Sequence, residues 1–142
     1  MYKRQALHHA VHDIIGGPEY NVELNCGHYT GQDEWTNSLS FDGSAYTLPD
    51  GAYMQVDVIA SNPDPVRTAI CEDTAVIAGP ELRDALRKEY PETWARIQER
   101  REAMIRHLGI ALHDEVLPLS NLNAAMFPFM LNLNRVFALK EE

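Results

Sequence analysis

Gly51-Ala52-Tyr53-Met54-Gln55-Val56-Asp57-Val58-Ile59-Ala60 and Arg67-Thr68-Ala69-Ile70-Cys71-Glu72-Asp73-Thr74-Ala75-Val76-Ile77-Ala78 lie either side of a short loop, Ser61-Asn62-Pro63-Asp64-Pro65. Both runs are rich in β-branched and apolar residues, and the loop is rich in turn formers, so the pair reads as two antiparallel strands. Each strand carries one acid in an apolar setting: Asp57 in the first, Glu72 in the second. Counting outward from the loop places these acids opposite each other or one diagonal step apart. Side chains alternate faces along a strand. In that register both carboxylates share a face, with Cβ atoms roughly 5–8 Å apart. Two like charges at that distance repel, and burial worsens the repulsion. The arrangement calls for a cation, a shared proton or an arginine between them.

The chain of 142 residues has the size of one domain and can bury a core. Twenty-one acids against 12 Lys and Arg give a net charge of −9, which argues against nucleic acid and against anionic membrane surfaces as partners. No apolar run approaches the roughly 18 residues of a membrane span. Met1-Tyr2-Lys3-Arg4-Gln5 lacks the apolar core of a signal peptide. Two cysteines, Cys26 and Cys71, do not make a disulfide framework. A reduced, cytoplasmic protein is the expectation.

Outward from the hairpin, Leu48-Pro49-Asp50-Gly51 is a turn signature that delivers the chain into the first strand. Residues 36–51 otherwise read as loop. Upstream, Cys26-Gly27-His28-Tyr29-Thr30-Gly31-Gln32-Asp33-Glu34-Trp35 is the most polar and chemically equipped segment. Its glycines let backbone approach a ligand closely. Tyr20 to Asn25 reads as extended. Residues 4–15 read as a helix with Ala6, Leu7, Ala10, Val11, Ile14 and Ile15 as its apolar stripe. No capping residue precedes them, so the chain is expected to begin inside that helix. His8 and His12 share a face of it at a metal-compatible spacing, but without a nearby third ligand the pattern favours a histidine-bearing, partly exposed helix.

Downstream, Gly79-Pro80-Glu81 starts a helix with proline in its first turn. Leu82, Ala85, Leu86 and Tyr90 line its apolar face. A second helix is expected from Glu92 to Leu108, with Trp94, Ile97, Met104, Ile105 and Leu108 inward and Gly109 closing it. Gln98-Glu99-Arg100-Arg101-Glu102 reads as a solvated face. The tail from 110 to 139 is apolar, and Ala125-Met126-Phe127-Pro128-Phe129-Met130-Leu131 is expected to pack on the domain, cover a missing half or form a subunit interface.

Gly27-His28, then Leu48-Pro49-Asp50-Gly51 entering a strand with Asp57, then Glu72 in the next strand, resembles the C-terminal half of the pita-bread, M24-type metallopeptidases. These include methionine aminopeptidase, Xaa-Pro aminopeptidase and prolidase. The resemblance covers residues 6–78. It implies an α+β chain of the pita-bread (creatinase/aminopeptidase-like) fold, with an antiparallel sheet and packed helices. Residues 1–78 would form a partial catalytic domain truncated at its N-terminus, and residues 79–142 a helical extension packed on it. It implies His28 as the histidine ligand, Glu72 as the bridging glutamate and Asp57 where the family carries glutamate. Together these would hold two divalent metal ions (Mn, Co, Zn or Fe) with two aspartates expected upstream of residue 1.

The implied activity is that of a metal-dependent, Xaa-Pro-aminopeptidase-like hydrolase. It would act on a small-molecule or short-peptide substrate and form a homodimer in the full-length protein. The family's peptidases carry a second histidine seven residues after the ligand histidine, and here that position is Trp35. This departure keeps open a non-peptidase enzyme on the same fold, creatinase-like or dimethylsulfoniopropionate-lyase-like, and an inactive binding module. In the lyase reading Asp33 or Glu34 is the catalytic base, and Trp35 stacks on a cationic substrate.

Overall fold

The computed structural model describes residues 2–16, 20–23, 26–31, 40–63 and 66–120. The described residues are α+β, with an antiparallel sheet and three helices among them. β1 (Tyr2–Lys3) leads into α1 (Arg4–Ile14). Three short strands follow: β2 (Asn21–Glu23), β3 (His28–Tyr29) and β4 (Thr47–Leu48). β5 (Ala52–Pro63) and β6 (Val66–Ile77) form the long hairpin, and α2 (Pro80–Glu89), α3 (Pro91–Arg106) and β7 (Val116–Pro118) complete the described chain.

β5 and β6 pair along their whole length, from Ala52↔Ile77 to Pro63↔Val66. The strands therefore run further towards the connection than expected. Pro63 stands at the last paired position, where a missing N–H costs least. β2 and β3 pair with successive parts of the outer edge of β5, and β7 pairs with β6. β1 and β4 form a separate two-stranded pair. The chain thus enters α1 from a strand, which corrects the expectation of a start inside the helix. No side chain caps α1; backbone pairing with β4 orders its entry instead.

β5 shows why the sheet packs as it does. Met54, Val58 and Ala60 are buried on one face, while Tyr53 on the other is about half exposed (48%). The buried face meets α1, with Val11, Cys26 and Val58 at the centre and Leu7, Ile15 and Val22 around them. Only part of the expected stripe of α1 is used. Ile14 is 81% exposed and borders an apolar groove of about 400 Å³ that runs over Val56, Val58 and Ala75 towards Met104.

A second cluster holds Ala78, Ile97 and Leu117, with Leu82, Leu86 and Trp94 against it. It seats α2 and α3 over the end of β6. Two inward assignments are corrected here, since Tyr90 and Ile105 are exposed. The solvated-face reading of Gln98–Glu102 is also corrected at Arg101, which is buried. Its guanidinium donates to the carbonyls of His113 and Val116 and meets Asp114 at 3.4 Å. These three partners sit in the turn that returns the chain to the sheet as β7, a strand that the proline-interrupted sequence did not announce. Residues 121–142, including the apolar segment 125–131, lie outside the described residues.

Asp50 ties the hairpin to the helices. Its Oδ1 accepts from Gly51 N at 3.1 Å and from Gly79 N at 2.6 Å, at the entry to α2. Asp50→Ala is expected to cost about 1 kcal/mol, read from a urea midpoint. An unchanged midpoint would show that the turn and α2 hold together without this carboxylate.

Candidate metal centre

Asp57 pairs directly with Glu72 across β5 and β6, the closer of the two registers that the sequence allows. His28 pairs with Gln55 across β3 and β5. Gln55 and Asp57 are two residues apart, so all three side chains issue from the same face of the sheet. His28 Nε2 lies 3.8 Å from Asp57 Oδ2 and 3.6 Å from Glu72 Oε1. One ligand atom from each residue falls within 4.8 Å of the others, and among the described residues this is the cluster with three possible ligands.

Burial is uneven across the site. His28 and Asp57 are buried, whereas the Glu72 side chain is 44% exposed. Asp57 stands out because the rest of its face is more open: Tyr53 is exposed and Gln55 and Ile59 are half-buried. Burial raises the Asp57 carboxyl above its ordinary value, and the neighbouring His28 offsets part of that rise. Asp57 Oδ1 is buried without a hydrogen-bond partner among the described residues. A buried carboxylate oxygen left in that state is costly unless a cation or proton satisfies it.

His28 is oriented by its own backbone. Its Nδ1 lies 3.0 Å from the Tyr29 carbonyl oxygen. A carbonyl can only accept, so Nδ1 carries a proton, and the ring presents Nε2 to the two carboxylates. This is the usual outer-sphere arrangement of a metal-binding histidine. Three ligands of a tetrahedral first-row divalent ion, at about 2.0–2.2 Å from it, stand roughly 3.3–3.6 Å apart. The observed 3.6 and 3.8 Å need only a small inward turn of the side chains. One imidazole and two carboxylates suit Mn²⁺, Fe²⁺, Co²⁺ or Zn²⁺. The residues present therefore fit such an ion.

Two residues support this geometry: Arg4, which sequence reasoning did not mark, and Gly27, expected to admit a ligand and found against β5 instead. Arg4 is buried at the start of α1, with its guanidinium carbon 4.2 Å from the centroid of the Tyr29 ring. It steadies the residue whose carbonyl orients His28, and nothing in its sequence position marks that role. Gly27 is the second. Its φ is +155°, and a Cβ there would meet the Gln55 carbonyl oxygen at 2.9 Å. Gly27→Ala should push β3 off β5, destabilise the fold and weaken metal binding about tenfold, as loss of an orienting partner does. Isothermal titration with Co²⁺ reads the second effect, and wild-type affinity in the variant would rule out the close approach as a positioning device.

Cys26 is fully buried beside Val11 and Val58, and burial pushes its thiol up to about 11. It packs beneath the sheet, where burial disfavours the thiolate that a nucleophile needs. The rings of His8 and His12 stack with centroids 4.1 Å apart. Burial and the adjacent His12 hold His8 below its ordinary value, and the described residues bring the pair no third ligand. Asp33, Glu34 and Trp35 lie outside the described residues. Comparison of this chain with protein-family models, curated proteins and solved structures gave no match.

Proposed function

We propose that the chain carries the metal-binding part of a hydrolase of the pita-bread, Xaa-Pro-aminopeptidase-like type, acting on a peptide or amide bond of a small substrate. The observation that carries this reading is the direct opposition of Asp57 and Glu72, with His28 Nε2 facing both. A divalent ion held there, or a pair of them, supplies a water of lowered pKa and a Lewis acid for a carbonyl. The protein's part is orientation and charge. Asp57, buried and lacking a partner at Oδ1, is the fixed anionic ligand. Glu72, open to solvent, is placed to exchange a proton with an entering water. Asp33 or Glu34 is the proposed general base of the lyase-like alternative.

A metal-free reading rests on the same contacts. A doubly protonated His28 would sit between two carboxylates and balance half of their charge. Elemental analysis after loading with Mn²⁺, Co²⁺ or Zn²⁺ separates the two. The metal reading expects at least one equivalent retained through gel filtration, and d–d absorption from bound Co²⁺. Retention of no metal under any of the three conditions overturns it in favour of the imidazolium. Hydrolysis of Xaa-Pro dipeptides by the loaded protein, against turnover of small sulfonium or guanidino compounds, then separates peptidase from non-peptidase chemistry.

A further inference from the structure

The three proposed ligands sit at a boundary between two kinds of surface on one sheet face. Ile59 pairs with Ile70, the next same-face position beyond Asp57↔Glu72. Such a step is about 6.7 Å along the strands. Ile70 is 57% exposed and Ile59 is half-buried. On the other flank, the next same-face pair is Gln55↔Thr74, with His28 across from Gln55. The face therefore runs from amide and hydroxyl groups, through the ligands, to a pair of branched aliphatic side chains, with Glu23 of β2 at the position across from Ile59.

From this order we infer that the site takes substrates with an aliphatic or aromatic group directly beside the metal-binding carbonyl, and discriminates against anionic groups there. The inference rests on the metal reading above and adds the substrate class to it. A single exposed apolar side chain needs no explanation. Two that face each other one step from a buried carboxylate are different. They offer continuous apolar area at the distance of a neighbouring substituent, and covering it with an apolar group releases water from both sides. A carboxylate in that place would gain nothing from Ile59 and Ile70 and would be repelled by Asp57 and Glu72. The Gln55–Thr74 flank gives hydrogen-bonding groups to the other side of the carbonyl.

The test uses hydroxamates, which ligate a metal through their polar end, on the Co²⁺-loaded chain followed by visible absorption. Acetohydroxamic, butyrohydroxamic and hexanohydroxamic acids should bind with affinity rising about two- to threefold per methylene, somewhat less than full burial of a CH₂ would give. A six-carbon hydroxamate ending in carboxylate should bind no better than the acetyl compound. Ile70→Ser should flatten the chain-length dependence while leaving Co²⁺ affinity and the Co²⁺ spectrum as in wild type. Wild-type protein that binds Co²⁺ and hydroxamates with no chain-length dependence overturns this inference and leaves the metal reading standing. Failure to bind Co²⁺ at all overturns the metal reading and takes this inference with it. A dimer that Ile70→Ser dissociates in sedimentation, with the chain-length dependence unchanged, assigns the isoleucine pair to an interface between copies and likewise overturns the inference.

Discussion

His28→Ala and Glu72→Ala are each expected to weaken Co²⁺ binding on the order of a hundredfold or more, since each removes one of three ligands that a small divalent ion needs. Removing the Tyr29-bound imidazole also leaves Asp57 and Glu72 facing each other with no intervening base. Asp57→Asn separates two effects that the alanine variants combine. In the metal-free protein, burial raises the Asp57 carboxyl, so the folded state holds this proton more tightly than the unfolded chain does. Stability contributed at this site is then present at low pH and is lost as pH rises from the ordinary value of 3.8 through the elevated one. Asparagine carries no charge to desolvate, and its Nδ2 can donate to the Glu72 carboxylate. Metal-free Asp57→Asn should therefore melt higher than metal-free wild type at neutral pH and no higher in strong acid. The same variant should lose metal-induced stabilisation. Thermal melts with and without Co²⁺ at two pH values check both parts. A variant that keeps wild-type Co²⁺ affinity would remove Asp57 from the ligand set.

Arg101→Met is expected to destabilise the fold by about 3 kcal/mol. The side chain is buried on α3, and its guanidinium gathers the His113 and Val116 carbonyls and the Asp114 carboxylate. Methionine fills much of the volume but donates nothing, so two backbone acceptors lose a charged donor. Each such loss costs about 1–3 kcal/mol. The turn at 113–116 also hands Val116–Pro118 to the edge of β6, so loosening it should unpair β7 and uncover Leu117, which is 1% exposed. Urea denaturation gives the stability, and amide exchange at Leu117 gives the local effect. Glu102→Ala, which removes only the exposed pair with Arg106, should fall within about 0.5 kcal/mol of wild type. A loss below 1 kcal/mol for Arg101→Met would mean that β7 is held by its ladder and by Leu117 alone.

The hairpin was legible because alternation has a period of two and the connecting loop is rich in proline, so counting outward gives the partner of every residue to within one step. Asp57 and Glu72 could be set together by that count. His28 could not, because no periodicity links residue 28 to residue 57; its placement against Gln55 comes from how the 26–29 segment docks on the outer edge of β5. The helices at 4–14, 80–89 and 91–106 followed from apolar spacing, glycine and proline. Their burial did not. Ile14, Tyr90 and Ile105 lie on expected apolar faces yet remain exposed, and Arg101 in a charged run is buried.

The sequence by itself determined the antiparallel pair, its acids and the three helical segments, because these depend on contacts a few residues apart or on a register counted from one turn. Tertiary structure decided the site. It chose the direct Asp57–Glu72 register, brought His28 Nε2 to within 3.6–3.8 Å of both carboxylates, and left Asp57 Oδ1 without a partner among the described residues. The physical reason is that burial and orientation are properties of packed neighbours. Whether an acid on a strand is a solvated surface group or a desolvated ligand depends on which side chains close over it, and here His28 comes from β3, far away along the chain.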